Sequence, residues 1–242
     1  MTKIAVFDAK PYDRASFDAA NAGRYAFRYF ETRLTAASVP LAEGCAGVCA
    51  FVNDAVDAAT VEGLVARGVK VLALRCAGYN NVDFKAAFEK GLTVVRVPAY
   101  SPYAVAEHAM ALLMTLNRHL HKAAARTRDF NFSLVGLTGM DLHGKTAGVV
   151  GTGKIGRIFC DICKGLGMRV LAYDAFPNPA SGLDYVTLNR LLAESDVVSL
   201  HCPLTPETHH LFNAETIGMM KPGAFLVNPS RGGLVESGAL LD

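Results

Sequence analysis

Short apolar runs rich in β-branched residues alternate with longer stretches of helical period along most of the chain. In the first hundred residues the runs that predict strands are Lys3–Ala9, Tyr25–Glu31, Gly47–Val52, Val69–Arg75 and Thr93–Val97. The stretches that predict helices there are Ala58–Arg67 and Val82–Lys90. Such alternation is typical of a parallel sheet with helices on both faces. The pattern therefore predicts one α/β unit that ends near residue 100.

A long helical pattern, Tyr103–Arg126, leads from that unit into a second series of the same kind. Its predicted strands are Thr146–Val150, Arg169–Tyr173, Val197–His201 and Ala224–Asn228, and its predicted helices are Lys154–Leu166, Leu188–Glu194 and Ala214–Met220. The final "LVESGALL" predicts the start of another helix. We expect an α/β protein of two parallel-sheet units, 1–100 and 101–242, the second incomplete at its C-terminus.

Composition narrows the class of protein. Half of the 242 residues (51%) are hydrophobic and 19% are charged, which is enough apolar material for packed cores. The net charge is only +2 and no block of Lys and Arg occurs, so neither a nucleic acid nor an anionic membrane is an expected partner. No apolar stretch reaches the roughly 18 residues of a membrane span, and the N-terminus does not resemble a signal peptide. We expect a cytoplasmic protein.

Cysteine and histidine offer little for metal or redox chemistry. The six cysteines are dispersed in apolar context, as reduced buried thiols usually are. Cys160 and Cys163 form a C-x-x-C pair, but the pair lies inside a predicted helix and no second pair follows at zinc spacing. His201, His209 and His210 have no accompanying carboxylates. A metal site is not expected.

The second unit opens with the one motif that carries specific chemistry. Gly151, Gly153 and Gly156 form G-x-G-x-x-G directly after a buried strand and at the start of a helix. The first glycine permits the tight turn, the second admits a pyrophosphate, and the third lets helix and strand pack closely. The free N–H groups of the helix N-terminus then face the phosphates. This context predicts a dinucleotide site.

The next predicted strand ends at Asp174, near the position of a ribose-binding carboxylate. A carboxylate there accepts hydrogen bonds from the ribose hydroxyls and repels a 2′-phosphate, which favours NAD over NADP. A turn-capping aspartate is the structural alternative. Two further loops follow predicted strands at the same edge: Cys202-Pro203 and the polar segment around Arg231. A guanidinium is planar and permanently charged, and it matches a carboxylate bidentately. A surface arginine is the alternative for Arg231.

Long ordered motifs connect these pieces. The segments "RCAGYNNVD", "VRVPAYSPYAVAEHA", "RTRDFNFSLVGLTG", "GKTAGVVGTGKIG", "SLHCPLTPET" and "VNPSRGGLVESGAL" resemble the D-2-hydroxyacid dehydrogenase family, and within it the fermentative D-lactate dehydrogenase branch. The resemblance spans essentially the whole chain. It implies two Rossmann- or flavodoxin-like units, a homodimer or higher homo-oligomer, and hydride transfer between NAD(H) and a small 2-oxo or 2-hydroxy acid, pyruvate and D-lactate first. Glyoxylate, hydroxypyruvate or phosphoglycerate enzymes, and a non-catalytic NAD-binding regulator, are the alternatives.

The resemblance also implies roles for individual residues. In the family the first unit binds the 2-oxo acid, here through Phe51, Cys76, Ala77, Gly78 and Tyr100. The second unit binds NAD, here through Gly151, Gly153, Lys154, Ile155, Gly156, Asp174, Cys202, Pro203, Thr208, Pro229, Ser230 and Arg231. Arg231 is also the catalytic arginine that holds the substrate carboxylate and carbonyl. Phe51 as core, Tyr100 as an interface residue and Gly78 as a turn residue are the structural alternatives.

Two departures from the family bear on activity. Pro229 stands where the family often has a small polar or β-branched residue, and proline removes one backbone donor. The family's catalytic Glu and His lie beyond the S-R-G motif, where this sequence has no matching residues. A positioned general acid contributes about 10²–10⁴-fold. We therefore expect an incomplete portion of a dehydrogenase that, as given, turns over poorly.

Overall fold

The computed structural model describes residues 1–241, which fall into two compact units, Met1–Tyr100 and the chain from Ser101 onward. Each unit has a five-stranded sheet in which every paired strand is parallel. The predicted α/β class with two parallel-sheet units is thereby confirmed. Within the described residues, no helix combines the length and the hydropathy that crossing a membrane requires.

The first unit has strand order β2-β1-β3-β4-β5, the flavodoxin-like order of doubly wound sheets. The strands are β1 Thr2–Val6, β2 Tyr25–Tyr29, β3 Gly47–Ala50, β4 Val71–Leu74 and β5 Thr93–Arg96. The helices are α1 Pro11–Asn21, α2 Ala58–Ala66 and α3 Phe84–Glu89. Asp57 and Asp83 begin α2 and α3, because each carboxylate accepts a backbone N–H of the first turn. The core contains the fully buried Phe7, Leu64 and Leu72.

The second unit has the order β10-β9-β6-β7-β8, which is the 3-2-1-4-5 order of a dinucleotide-binding fold. The strands are β6 Thr146–Val150, β7 Arg169–Tyr173, β8 Asp184–Tyr185, β9 Val197–Leu200 and β10 Phe225–Val227. The helices are α4 Pro102–Asn117, α5 Leu120–Arg128, α6 Lys154–Gly165, α7 Leu188–Glu194 and α8 Ala214–Gly218. All residues of β6 and β9 are buried, because apolar clusters cover both faces of the sheet.

Two elements of the second unit differ from their predicted form. The helix predicted over Tyr103–Arg126 is two helices, α4 and α5, with His119 between them at φ 50°. The buried Asn117 side chain ends α4, because it donates to the Met140 carbonyl and accepts from the Met140 N–H. The helix predicted for "LVESGALL" was also wrong. Only short 3-10 turns form there, Gly232–Leu234 and Gly238–Leu240, because Val235 leaves helical geometry to pair with Phe212.

The hydrophobic pattern did not predict α1 or β8, and it predicted several strands to be longer than they are. Helix α1 has no apolar stripe in its sequence and buries no residue, and β8 is only two residues long. Strand β1 ends at Val6 rather than at Ala9. Beyond it Asp8 adopts φ 46°, and its N–H donates to the Thr32 carbonyl instead of continuing the ladder. Apolar character continues past the hydrogen-bonded strand, so periodicity alone overestimates strand length.

Candidate functional site

The loops that follow β6 and β9 meet at the carboxyl edge of the second sheet. These strands are central neighbours whose crossovers run in opposite directions, so the edge between them is the topological switch point. Open α/β sheets bind ligands at this position. A β-carbon added to Gly151 would lie 2.5 Å from the Cys202 backbone nitrogen and 2.7 Å from the His201 carbonyl carbon. The two loops therefore pack backbone against backbone beneath the candidate site.

The glycine-rich loop has the geometry that a pyrophosphate needs. Gly151 adopts φ 91°, a conformation that side chains strongly disfavour, and a β-carbon on Gly156 would collide with the Gly151 carbonyl oxygen. A β-carbon on Gly153, in contrast, would meet open space. Gly153 precedes α6 and no side chain caps that helix, so the N–H groups of its first turn are available to an anion. Lys154 is exposed beside them, and Ile155 packs on the core.

Asp174 follows β7, and its carboxylate bonds to two neighbouring segments of this unit. Its Oδ2 accepts hydrogen bonds from the Thr152 N–H at 2.6 Å and from the Thr152 hydroxyl at 2.9 Å. Its Oδ1 caps the next turn through the Phe176 N–H at 2.9 Å. Burial by itself would raise the pKa of Asp174, but these hydrogen bonds outweigh it and lower the pKa below its ordinary value. The carboxylate is therefore charged and still has acceptor capacity for ribose hydroxyls.

The loop after β9 places three of the predicted cofactor residues. Cys202 is partly buried behind the glycine loop, and burial raises the pKa of its thiol. The Thr208 hydroxyl donates to the Pro203 carbonyl at 2.7 Å and accepts from the Thr205 N–H at 2.8 Å. These bonds close the turn 203–208. The Thr208 side chain thus shapes the loop from within.

His201, at the end of β9, was left without a role by the sequence. Its Nε2 lies 2.9 Å from the Ser199 hydroxyl, its ring lies 4.9 Å from that of Phe159, and its Nδ1 is buried without a partner in residues 1–241. Burial lowers the pKa of His201 to about 4. The ring is therefore a neutral component of the floor beneath the two loops.

Arg231 lies in a loop after β10 that hydrogen bonds hold in place. The Ser230 hydroxyl donates to the Leu200 carbonyl at the end of β9 over 2.8 Å. Asn228 accepts from the Ser230 N–H and donates to the Arg231 carbonyl. The Arg231 guanidinium donates to the Ser230 carbonyl at 3.0 Å and has no ion-pair partner within residues 1–241. Pro229 occupies the turn between these residues. A permanent positive charge therefore remains available to an anionic ligand.

Sequence reasoning overlooked Asn228, although asparagine at a strand end is a common turn signal. It also overlooked Thr152, whose partners lie more than twenty positions away in the chain.

In the first unit the predicted substrate residues lie after β3, β4 and β5. The Gly78 carbonyl accepts the buried Cys76 thiol at 3.3 Å, and the Ala77 carbonyl accepts the Arg96 guanidinium at 2.9 Å. These contacts fix the loop that follows β4. Tyr100, at the end of the unit, is 69% exposed.

Phe51 packs against the core of the first unit, and the Arg75 guanidinium covers its ring at 4.7 Å. Arg75 is structural: it donates to the Phe7 and Asp8 carbonyls and pairs with Asp13 at 3.2 Å.

The C-x-x-C pair has the structural role that its position predicted. Cys160 and Cys163 are free thiols buried on α6, and burial raises the pKa of each to about 12. Thiols of such high pKa are poor nucleophiles and poor metal ligands. Within residues 1–241 no three His, Cys, Asp or Glu side chains are grouped to hold a metal ion.

Comparisons with known proteins agree with this geometry. Residues 110–242 match the family model described as the NAD-binding domain of D-isomer specific 2-hydroxyacid dehydrogenases. The chain is 52% identical to the D-lactate dehydrogenase of Escherichia coli K12 over 99% of its own length and 74% of the relative's. The apo-structure of that organism's D-lactate dehydrogenase superposes with a TM-score of 0.91, over 99% of this chain and 77% of the other, at 52% identity.

A more distant solved structure is informative about the cofactor. The D-lactate dehydrogenase of Aquifex aeolicus, solved in complex with NAD and lactic acid, is 32% identical and has a TM-score of 0.87. The match covers 98% of this chain and 72% of that one. Both the glycine loop and the charged Asp174 fit a dinucleotide. The chain belongs to the D-isomer specific 2-hydroxyacid dehydrogenase family, and its cofactor is NAD.

Proposed function

We propose that the protein interconverts pyruvate and D-lactate with NAD. The observation that carries this proposal is the Arg231 guanidinium, which is free of ion pairs in residues 1–241 and follows the strand next to the switch point. The names of the relatives support lactate over other 2-hydroxy acids.

The proposed roles divide between the two units. Residues 101–242 bind NAD: Gly151, Gly153 and Gly156 admit the pyrophosphate, with Lys154 and Ile155 at the start of the helix beneath it. Asp174 accepts the ribose hydroxyls, and its negative charge repels a 2′-phosphate. The loops that carry Cys202, Pro203 and Thr208, and Pro229 and Ser230, form the wall on the nicotinamide side. The bound cofactor supplies or accepts the hydride.

Arg231 orients the 2-oxo acid for that transfer. Its fork of N–H groups suits a carboxylate and the adjacent carbonyl oxygen, so it fixes the keto carbon rather than merely attracting the anion. Positive charge beside the carbonyl oxygen also stabilises the negative charge that develops there. Residues 1–100 bind the substrate through the backbone of Cys76, Ala77 and Gly78, with Phe51 and Tyr100 near the side-chain end.

Loss of reduced-nicotinamide absorbance tests this function in the natural gene product that contains these 242 residues. Pyruvate is expected to give the highest kcat/KM with NADH, ahead of glyoxylate, hydroxypyruvate and phosphohydroxypyruvate, and the product is expected to be the D-enantiomer. A higher value with one of the other acids would reassign the substrate. Measurable NADH binding with no oxidation by any acid would instead indicate a regulatory NAD-binding protein.

We also propose that the protein is a cytoplasmic homodimer or higher homo-oligomer. Four apolar residues follow α5 in the second unit and are 72–85% exposed: Phe130, Phe132, Leu134 and Val135. A cluster of exposed apolar side chains in one segment of this kind is typical of subunit contacts. Six free cysteines fit a reducing compartment. Sedimentation of the natural gene product as a monomer would contradict the oligomer, and fractionation would test its location.

A further inference from the structure

Three hydrogen-bonded hydroxyl groups, those of Ser181, Tyr185 and Thr152, form a file that leads to the Asp174 carboxylate. The Ser181 hydroxyl lies 3.4 Å from the Tyr185 hydroxyl, which lies 2.8 Å from the Thr152 hydroxyl. The Thr152 hydroxyl in turn lies 2.9 Å from Asp174 Oδ2. Thr152 is the residue between the first two motif glycines, and Tyr185 belongs to the short edge strand β8. Neither residue is explained by the roles described above.

The direction of the hydrogen bonds follows from proton counting. A charged carboxylate only accepts, so the single hydroxyl proton of Thr152 is donated to Asp174. The Thr152 oxygen must then accept from the Tyr185 hydroxyl, and Tyr185 accepts from Ser181. The O–H bonds of all three hydroxyl groups therefore point along the file toward the carboxylate. Aligned hydrogen bonds polarise one another and strengthen the final, charge-assisted bond.

The same bonds determine which acceptor sites of Asp174 remain. A carboxylate offers about four lone-pair sites. The Thr152 amide and hydroxyl occupy Oδ2, and the Phe176 amide occupies one site on Oδ1. Thr152 is only 8% exposed, so water competes little for these bonds. The carboxylate is thus held in one rotamer with a narrow range of directions left for a ligand.

We propose that Tyr185 and Thr152 are positioning residues that set the preference for NAD over NADP by fixing Asp174 toward the adenosine ribose. This inference rests on the proposed placement of Asp174 at the ribose. Strand β8 positions Tyr185 in this arrangement. Tyr185 pairs with Ala172 of β7, and its hydroxyl thereby lies beside Thr152 of the glycine loop. A purely structural role, in which the file only secures the sheet edge, would leave cofactor discrimination unchanged.

The test measures dissociation constants for NADH and for NADPH by fluorescence titration, with no substrate present. Tyr185→Phe is expected to raise the Kd for NADH about 3–10-fold and to raise the Kd for NADPH less, because NADPH offers Asp174 only the 3′-hydroxyl of that ribose. Thr152→Val is expected to have a larger effect in the same direction, whereas Thr152→Ser keeps the hydroxyl and stays within about 2-fold of the parent. Tyr173→Phe is the matched control, since its hydroxyl makes no hydrogen bond within residues 1–241.

Three outcomes would overturn the inference. Unchanged NADH binding in Tyr185→Phe would show that the file does not act on the cofactor. An equal loss of NADH and NADPH binding, or the same loss in Tyr173→Phe, would indicate general damage to the edge, and thermal unfolding curves would reveal its extent. Asp174→Ala distinguishes an error in the proposed placement of Asp174 at the ribose from an error in the positioning role of Tyr185 and Thr152. If it does not alter the NADH-to-NADPH ratio, the placement of Asp174 is wrong; if it does while Tyr185→Phe does not, only the file is wrong.

Discussion

The side chain of Asn228 holds the backbone of Arg231, donating to its carbonyl oxygen over 2.8 Å while accepting the Ser230 N–H at 3.1 Å. Asn228 itself lies where β10 ends, so the loop that carries the guanidinium is tied to the sheet. The orientation of Arg231 therefore depends on a residue that does not touch the substrate in the proposed mechanism.

Replacing Asn228 by alanine is expected to raise the KM for pyruvate about 2–10-fold, because a net hydrogen bond is worth roughly 0.5–1.5 kcal/mol. The Kd for NADH is expected to stay within about 2-fold. Steady-state kinetics and fluorescence titration measure the two quantities. Asn213→Ala is the control: Asn213 caps α8, so its loss lowers stability by about 1 kcal/mol without changing KM. Equal changes in both variants would count against a positioning role.

Arg231 is expected to dominate substrate recognition. Arg231→Gln loses the charge and Arg231→Lys loses the planar fork, so kcat/KM for pyruvate should fall about 10²–10⁴-fold in the first and somewhat less in the second. NADH binding should change far less. A kcat/KM within about 3-fold of the parent in Arg231→Gln would remove Arg231 from the proposed mechanism.

Two neighbouring glycines are expected to respond to alanine in opposite ways. Gly151→Ala forces a side chain into φ 91° and against the Cys202 backbone. The unfolding free energy should therefore fall by about 2 kcal/mol or more. Gly153→Ala meets open space, so stability should be unchanged while the Kd for NADH rises. Thermal unfolding and NADH titration of both variants measure the contrast. Tight NADH binding by Gly153→Ala would place the pyrophosphate elsewhere.

His201 is expected to make stability depend on pH. Its pKa is lowered to about 4 by burial, against 6.5 for an unperturbed histidine. The unfolded chain therefore binds a proton first as pH falls below about 6.5, and the folded state loses stability progressively until about pH 4, by roughly 2–3 kcal/mol.

Urea unfolding between pH 7 and 4 tests this contribution. His201→Gln should flatten the curve relative to the parent. Identical slopes in the parent and His201→Gln would show that folding does not lower the pKa of His201.

The apolar surface after α5 is expected to mediate self-association. The double variant Phe132→Ser and Leu134→Ser should shift the protein toward monomer in sedimentation velocity, because it removes apolar area that a second copy would bury. Phe88→Ser is the matched control, since Phe88 is 87% exposed in the first unit. An unchanged oligomer in the double variant would locate the contact on another surface.

The sequence predicted the α/β class and its two parallel-sheet units, and it placed the glycine loop, Asp174 and Arg231 directly after strands. These features depend on local information: periodicity, turn residues and motifs whose members are close in the chain. Strands β6 and β7 and helix α7 have the predicted bounds for the same reason.

Contacts between distant parts of the chain bring those segments together. Ser230 reaches Leu200 across 30 positions and Thr152 meets Tyr185 across 33, so no local pattern could reveal either bond. A contact of the same kind divides the helix predicted over Tyr103–Arg126 at His119, because the Asn117 side chain hydrogen-bonds to the Met140 backbone. The burial that keeps His201 neutral likewise arises from packing. Sequence names the groups that carry the chemistry, whereas contacts between distant segments set their orientation and charge.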